Sequence, residues 1–313
     1  MSLVRVSLLG KLCVTCDETP VERLDTRKVQ ELFCYLLLYR TLAHPREALA
    51  DLLWGGSITA RSYLRKTLYH LQSALHALPL GSDHQGCNSI LLVESDWVQL
   101  NPKASIWLDI AVFEEVFGRL KGISGQALDE QSVKDLENAV ALYQGELLTG
   151  WYQEWCLFER ERFRHMYLSM LDKLMAYYEF HHDYDMAVAC GLAVLRQDSA
   201  REHTHRNLMH LYYLAGDRSG ALRQYALCVA SLAENLDVQP SEPTETLYQQ
   251  IRAGQVERAL LPLIPNDGAN NAPSSLSSKA LDHVQQLRAR LAEFQQQVQQ
   301  ELDAMDLILN KLR

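Results

Sequence analysis

The chain has 313 residues, of which 48% are hydrophobic, and a formal net charge of −9. This length exceeds what one compact core usually holds and predicts two or three domains. The acidic charge argues against a protein that coats nucleic acid through bulk positive charge. Its first residues do not resemble a signal peptide and no apolar run has membrane-spanning length, so we expect a cytoplasmic protein without a membrane partner.

The chain begins with strand-like sequence. Residues 3–15 are rich in β-branched and apolar side chains and predict two short strands, separated at Gly10. The spacing then changes to three and four residues, which predicts a helix over residues 26–40. A second helix is predicted over residues 46–54, ended by the glycine pair that follows Trp54, and Thr59 is placed to cap a third helix.

The third predicted helix has two different faces. Its sequence over residues 61–75 is RSYLRKTLYHLQSAL, and its buried stripe is predicted to comprise Leu64, Leu68, Leu71 and Leu75. The side chains predicted to point away from this stripe are Arg61, Ser62, Arg65, Lys66 and Tyr69. Residues 52–82 contain no Asp or Glu. This helix is therefore a local basic island in an acidic chain.

Two further segments complete a recognisable order of elements. The stretch SILLVESDWVQL predicts a hairpin that turns at residues 94–96, and SIWLD predicts another strand. A small sheet, three helices and a terminal hairpin in this order are typical of a winged helix-turn-helix. The hairpin turn carries Glu94 and Asp96, whereas a wing lying on phosphates favours Lys or Arg.

The middle of the chain contains an internal repeat. Asp183-x3-Ala187 recurs as Asp217-x3-Ala221, a shift of 34 residues that matches the tetratricopeptide period. Residues 131–254 are therefore predicted to form stacked helix pairs with a concave, protein-docking side. Aromatic residues here are interpreted as core rather than as a site; they are Trp151, Trp155, Tyr177, Tyr178 and Tyr212.

The composition changes again near the end of the chain. Residues 262–278 are rich in proline, glycine, asparagine and serine, which is typical of a flexible linker. Residues 279–313 then carry an apolar stripe that needs a partner. It includes Val284, Leu287, Leu291, Phe294, Val298, Leu302, Met305 and Leu309. The segment either folds back on the helical domain or mediates oligomerisation or partner docking, and we favour the second alternative.

A family resemblance rests on several of these stretches. LVRVSLLG, DTRKVQELFCYLLL, ALADLLW and WLDIAVFEEVF resemble the OmpR-type winged helix of the Streptomyces antibiotic regulatory protein family. ALYQGELLTG, WYQEWCLFERERFR and later stretches resemble that family's bacterial transcriptional activation domain. The resemblance covers residues 3–254. It implies a mainly α chain with a winged helix (α+β) over residues 1–117 and a tetratricopeptide-like activation domain over 118–261. The apolar stripe separately predicts a coiled-coil-like helix over residues 279–313.

The leading hypothesis is a sequence-specific DNA-binding transcriptional regulator, an activator that contacts RNA polymerase. Its third helix would enter the major groove of double-stranded DNA. Arg61 and Arg65 are expected to contact guanines or phosphates, and Tyr69 a sugar or a thymine methyl group. Phosphate contacts are expected from Ser62 and Lys66. Further contacts to the DNA backbone are expected at helix starts, from Arg27, Lys28 and Arg46.

The rival hypothesis is a non-catalytic adaptor that uses the same domains to bind proteins. Residues 1–110 carry 11 basic and 11 acidic side chains, so phosphate affinity is expected to be modest and a dimer or RNA polymerase would supply the rest. The phosphate-loop and metalloprotease motifs are missing from the sequence, and we expect no enzyme activity, cofactor or metal site. The alternating charges of residues 154–164 are interpreted as a solvated helix face.

Overall fold

The computed structural model describes residues 4–17, 19–21, 24, 26–77 and 89–254. Within these residues the chain is mainly helical, with short strands confined to its N-terminal part. This confirms the predicted fold class. Among the described residues, no helix is long and apolar enough to cross a membrane. The predicted linker at 262–278 and the apolar stripe of 279–313 lie outside the described residues.

The N-terminal sheet joins the start of the chain to residues near 106. Its strands are β1 (Val4–Ser7), β2 (Cys13–Cys16), β3 (Thr19–Pro20) and β7 (Ile106–Leu108), in the order β3-β2-β1-β7. Strand β1 pairs antiparallel with β2 but parallel with β7. Gly10, in the turn after β1, has a φ of +119°, a conformation that side chains other than glycine rarely adopt.

The three predicted helices and the hairpin are confirmed. The helices are α1 (Arg27–Leu38), α2 (Arg46–Trp54) and α3 (Ala60–His76), and the second sheet has β4 (His44–Pro45), β5 (Leu91–Val93) and β6 (Trp97–Leu100). This sheet has the order β4-β6-β5. Gly55 ends α2 in the left-handed conformation, with a φ of 63°. Small sheet, three helices and hairpin therefore form a winged helix.

The start of α3 differs in one detail from the sequence-based expectation. Thr59 occupies the N-cap position, but its side chain accepts no hydrogen bond from the first turn. Its hydroxyl instead lies 3.0 Å from the Ser57 hydroxyl. The backbone explains this, because Thr59 already has helical φ and ψ of −90° and −3°, whereas a capping side chain needs an extended backbone.

The rest of the described chain consists of helices that pack in sequence. They are α4 (Asp109–Arg119), α5 (Glu130–Leu142), α6 (Glu154–Phe180), α7 (Tyr184–Gln197), α8 (Glu202–Leu214), α9 (Arg218–Leu236) and α10 (Glu242–Ala253). The repeat reads as predicted. Asp183 caps α7 and Asp217 caps α9, each accepting from the amide three residues on. Ala187 and Ala221 are fully buried, so both allow a close helix crossing.

The winged helix and the helical domain share one hydrophobic core, which contains Leu32 and Leu68 as well as Phe113 and Phe163. Backbone hydrogen bonds also join the two parts, since the Leu148 amide donates to the Leu8 carbonyl at 2.9 Å. The aromatics expected in the core include Trp151, Trp155 and Tyr178, which are buried, and Tyr177 and Tyr212, which are partly buried. The domain boundaries themselves stay a prediction.

Candidate nucleic-acid interface

The outer face of α3 carries the side chains that the sequence assigns to DNA. The leucine stripe is buried, with Leu64 and Leu68 each 2% exposed. The five predicted DNA contacts all lie on the exposed side, namely Arg61, Ser62, Arg65, Lys66 and Tyr69. A helix that buries one stripe against its own domain and projects basic and hydroxyl groups on the other has the shape and chemistry that a major groove accepts.

Neighbouring elements fix the position of this helix. The Trp54 ring at the end of α2 stacks on Tyr63 in α3, with 6.2 Å between ring centroids. Arg61 forms an ion pair with Glu47 of α2, and both side chains are largely exposed. Exposed pairs of this kind are worth about 0–1 kcal/mol, so the Arg61 guanidinium can exchange its partner at little cost. Among the described residues, none forms a hydrogen bond or ion pair with the Arg65 guanidinium.

The two side chains of α1 that are predicted to contact the DNA backbone have partners inside the protein. The Arg27 guanidinium lies 3.8 Å from the centre of the buried Trp151 ring. The Lys28 ammonium donates to the Leu53 carbonyl at 2.6 Å and pairs with Glu31 at 2.9 Å. Phosphate contacts by Arg27 and Lys28 stay a prediction, and making them would require these cations to give up intramolecular interactions.

Arg46 connects the start of α2 to the hairpin. Its guanidinium donates to the carbonyls of Glu94 and Ser95 at 3.3 and 3.4 Å, and its amide donates to the Asp96 carbonyl at 2.9 Å. The hairpin turn is thus held beside α2. The carboxylates of Glu94 and Asp96 remain exposed at that turn, so this wing presents negative charge close to the helices that would face DNA.

A charged network between the winged helix and the helical domain was missed by sequence reasoning. Glu114 of α4 accepts from Arg40 at 2.6 Å and from Arg162 of α6 at 2.7 Å. Arg162 also donates to Glu159 at 2.6 Å, and Glu159 accepts from the Tyr39 hydroxyl at 3.1 Å. Burial, and next the Glu159 carboxylate, raise the pKa of Tyr39 to about 12.

The interpretation of residues 154–164 as a solvated face is wrong for the central part of that segment. Glu159 is only 4% exposed. The Arg160 guanidinium donates to three carbonyls, those of Leu147 at 3.1 Å, Leu148 at 3.2 Å and Trp151 at 2.9 Å. Alternating charge signs cannot reveal these contacts, because the partners come from a loop that reaches the helix only in the folded chain.

A buried carboxylate completes the connection between the sheet and α4. Asp109 is 1% exposed and accepts from the amides of Leu8 and Leu9 at 2.7 and 2.8 Å. Burial raises the pKa of Asp109, while the backbone amide donors oppose that rise. No local sequence pattern indicates this role, since the partners are about a hundred residues apart.

These features define a class of protein in which a winged helix, with a basic face on its third helix, is built onto stacked helix pairs. Residues 108–252 match the family model of the bacterial transcriptional activator domain. Residues 108–252 therefore form a bacterial transcriptional activator domain, and the predicted resemblance to an activation domain is confirmed for this segment.

Among solved structures the chain is similar to Mycobacterium tuberculosis EmbR, solved in complex with a low-affinity phosphopeptide. The similarity has a TM-score of 0.66 at 22% sequence identity and covers 83% of this chain and 67% of the EmbR chain. At this identity the likeness supports the fold alone. The comparison with curated protein sequences gave no significant match.

Proposed function

We propose that the protein is a sequence-specific DNA-binding transcriptional activator whose α3 reads the major groove. The observation that carries this proposal is the exposed basic face of α3, opposite a fully packed leucine stripe. Arginine can bind a guanine edge through two parallel hydrogen bonds.

The face divides into two expected roles. Arg61 and Arg65 are expected to reach base edges or phosphates, and Tyr69, which is 69% exposed, to pack on a sugar or a thymine methyl group. Ser62 and Lys66 hold phosphates and set the register on the duplex. Arg46 is expected to contact the DNA backbone less directly, because its guanidinium also donates to carbonyls of the hairpin.

The DNA affinity that the exposed face of α3 supplies alone is expected to be modest. The wing turn is acidic and the first 110 residues carry balanced charge, so a second binding contribution is needed. We propose that RNA polymerase supplies one, contacted through the activator domain, which the family match supports. Self-association through residues 279–313 would supply another, since linked heads bind neighbouring half-sites with higher avidity.

The test is selection of binding sites from a random duplex pool. Because the winged helix shares its core with the activator domain, the full chain is the right protein for this experiment. We expect one enriched motif, bound more tightly than scrambled duplex, and loss of that preference in Arg65→Ala. A pool that stays random after repeated rounds, with a folded protein, would refute sequence-specific binding.

The adaptor hypothesis retains one specific observation in its favour. Arg27, Lys28 and Arg46 all have partners within the protein, and the wing is acidic, so much of the expected phosphate-binding charge is already used. An adaptor would bind no duplex above the nonspecific level, and Arg65→Ala and Lys66→Ala would then leave its behaviour unchanged. The same selection experiment therefore separates the two functions.

A further inference from the structure

A groove opens between the winged helix and the start of α6, away from the face of α3 discussed above. Its volume is about 660 Å³, within the range of sites that hold ligands or peptide side chains. Both parts of the protein contribute to its walls. The lining residues are Lys28, Glu31, Tyr39, Leu52, Gln153, Glu154, Trp155 and Phe158.

The groove has an apolar wall. The Phe158 side chain is 70% exposed and Leu52 is 41% exposed, although both are large and hydrophobic. Trp155 beneath them is held in place by ring contacts with Tyr35 at 5.6 Å and Trp151 at 6.3 Å. Exposed aromatic side chains beside a rigid concavity are characteristic of surfaces that bind other proteins, where they account for most of the binding energy.

The charges in the groove do not cancel. Lys28 is neutralised by Glu31 at 2.9 Å. Glu154 is exposed and forms no ion pair with another described residue. One negative charge is therefore left at the rim of an apolar surface, which favours an occupant that carries a positive charge next to an apolar group.

Two buried polar atoms of residues that line the groove also lack partners. The Gln153 side-chain oxygen and the Trp155 indole nitrogen are both buried, and within the described part of the chain neither has a hydrogen-bond partner. One is an acceptor and the other a donor, and buried polar groups of this kind are usually satisfied. A peptide group supplies both complements, an N–H and a C=O. Both atoms are covered, so a bound segment must shift a side chain to reach them.

We propose that this groove docks an extended segment of a partner protein in which an apolar side chain stands next to Lys or Arg. The apolar side chain packs against Phe158 and Leu52, and the cation lies near Glu154. The peptide backbone pairs with Gln153 and Trp155. This inference does not rest on DNA binding by α3, because none of these residues belongs to that face.

The probe is a fluorescein-labelled six-residue peptide that alternates leucine and lysine, titrated with the full chain and followed by anisotropy at about 150 mM salt. Phe158→Ala is expected to weaken binding by about fivefold or more, since the variant removes the main apolar contact. Glu154→Gln is expected to weaken binding by about threefold and to reduce its salt dependence.

The matched control is Leu157→Ala. Leu157 is 42% exposed and adjacent to Phe158, but it does not line the groove, so this variant should bind like the wild type. The proposal is overturned by any of three results: no binding at about 1 mM protein, equal binding of a peptide with glutamate in place of lysine, or equal binding by Phe158→Ala. DNA affinity of Phe158→Ala should be unchanged, which keeps this test separate from that of α3.

Discussion

The cations of the winged helix occupy two different kinds of surface. On α3, Arg65 and Lys66 are exposed, and neither forms an ion pair with another described residue. On α1, Arg27 stacks on Trp151 and Lys28 is bonded to Leu53 and Glu31. In the sequence these two sets look alike, as basic residues near helix starts.

The difference shows what decides the role of a surface cation. Lys28 and Arg27 lie where α1 meets α2 and the helical domain, so acceptors and aromatic rings are within reach. On the exposed side of α3, Arg61 pairs with Glu47 of α2, but Arg65 and Lys66 form no ion pair with another described residue and keep their hydrogen-bonding capacity for a partner. Substitutions at Arg160, Arg65 and Lys66 test this division between structural cations and available cations.

The largest effect is expected from Arg160, a structural cation of α6. Arg160→Met removes a guanidinium donor from three buried carbonyls. The Leu148 carbonyl keeps the Trp151 amide at 3.0 Å, whereas the Leu147 carbonyl is left with the Cys156 thiol at 4.0 Å. Because each lost partner costs about 1–3 kcal/mol, we expect the free energy of unfolding to fall by about 3–5 kcal/mol. Urea denaturation measures this change.

Lys134→Met is the control for that experiment, since Lys134 is exposed on α5 and its replacement should change stability by no more than about 0.5 kcal/mol. A loss below about 1 kcal/mol for Arg160→Met would mean that water replaces the guanidinium at these carbonyls.

Arg65 should show the opposite behaviour. Arg65→Ala is expected to lower affinity for the selected duplex by about 1–3 kcal/mol, because a base contact is lost, while the free energy of unfolding stays unchanged. Anisotropy with labelled duplex and urea denaturation measure the two quantities. If stability fell instead and affinity did not, Arg65 would be a structural cation.

Lys66 should differ from Arg65 in the kind of affinity that is lost. A phosphate contact carries no sequence information, so Lys66→Ala should weaken selected and scrambled duplexes alike and reduce the salt slope by about one unit. Titrations at several salt concentrations measure this slope. An effect restricted to the selected duplex would reassign Lys66 to a base edge.

The wing offers a smaller, electrostatic test. Replacing Glu94 and Asp96 together by Lys should tighten binding to scrambled duplex, because these exposed carboxylates would otherwise repel phosphates, and the gain should shrink with salt. Unchanged binding at low salt would mean that the hairpin turn lies away from DNA. A matched control is Glu130→Lys, an exposed change at the start of α5.

Most of the local fold was predictable because its signals are local. The second helix was predicted over residues 46–54, and α2 spans Arg46–Trp54. The apolar stripe of α3 follows from spacing alone, and so does its exposed face. The network around Glu114 was not predictable, because its partners Arg40 and Arg162 are 74 and 48 residues away. Pairing at that distance depends on how helices meet, which a single sequence does not encode in any short pattern.

The smallest expected effect concerns Tyr39, which joins the end of α1 to α6 through Glu159. Folding raises the pKa of Tyr39 from 10.0 to about 12. The unfolded chain therefore loses the phenol proton near pH 10 while the folded chain keeps it. The stability that this group contributes is fully present below pH 10 and is lost as the pH rises toward 12.

Tyr39→Phe removes both the hydrogen bond and the titrating group. At neutral pH we expect the variant to be less stable by about 0.5–1.5 kcal/mol, the usual worth of one hydrogen bond. Above pH 10 this difference in the free energy of unfolding, the gap between wild type and variant, should narrow. The wild type loses this stabilisation there, and phenylalanine has nothing to titrate. Urea denaturation from pH 8 to 11 measures the gap. Tyr152→Phe, which changes a phenol that is 78% exposed and outside the network, is the control and should leave stability at neutral pH unchanged. A gap for Tyr39→Phe that stays constant across this range would mean that the phenol ionises equally in both states, and that the contact between Tyr39 and Glu159 does not hold the winged helix against α6.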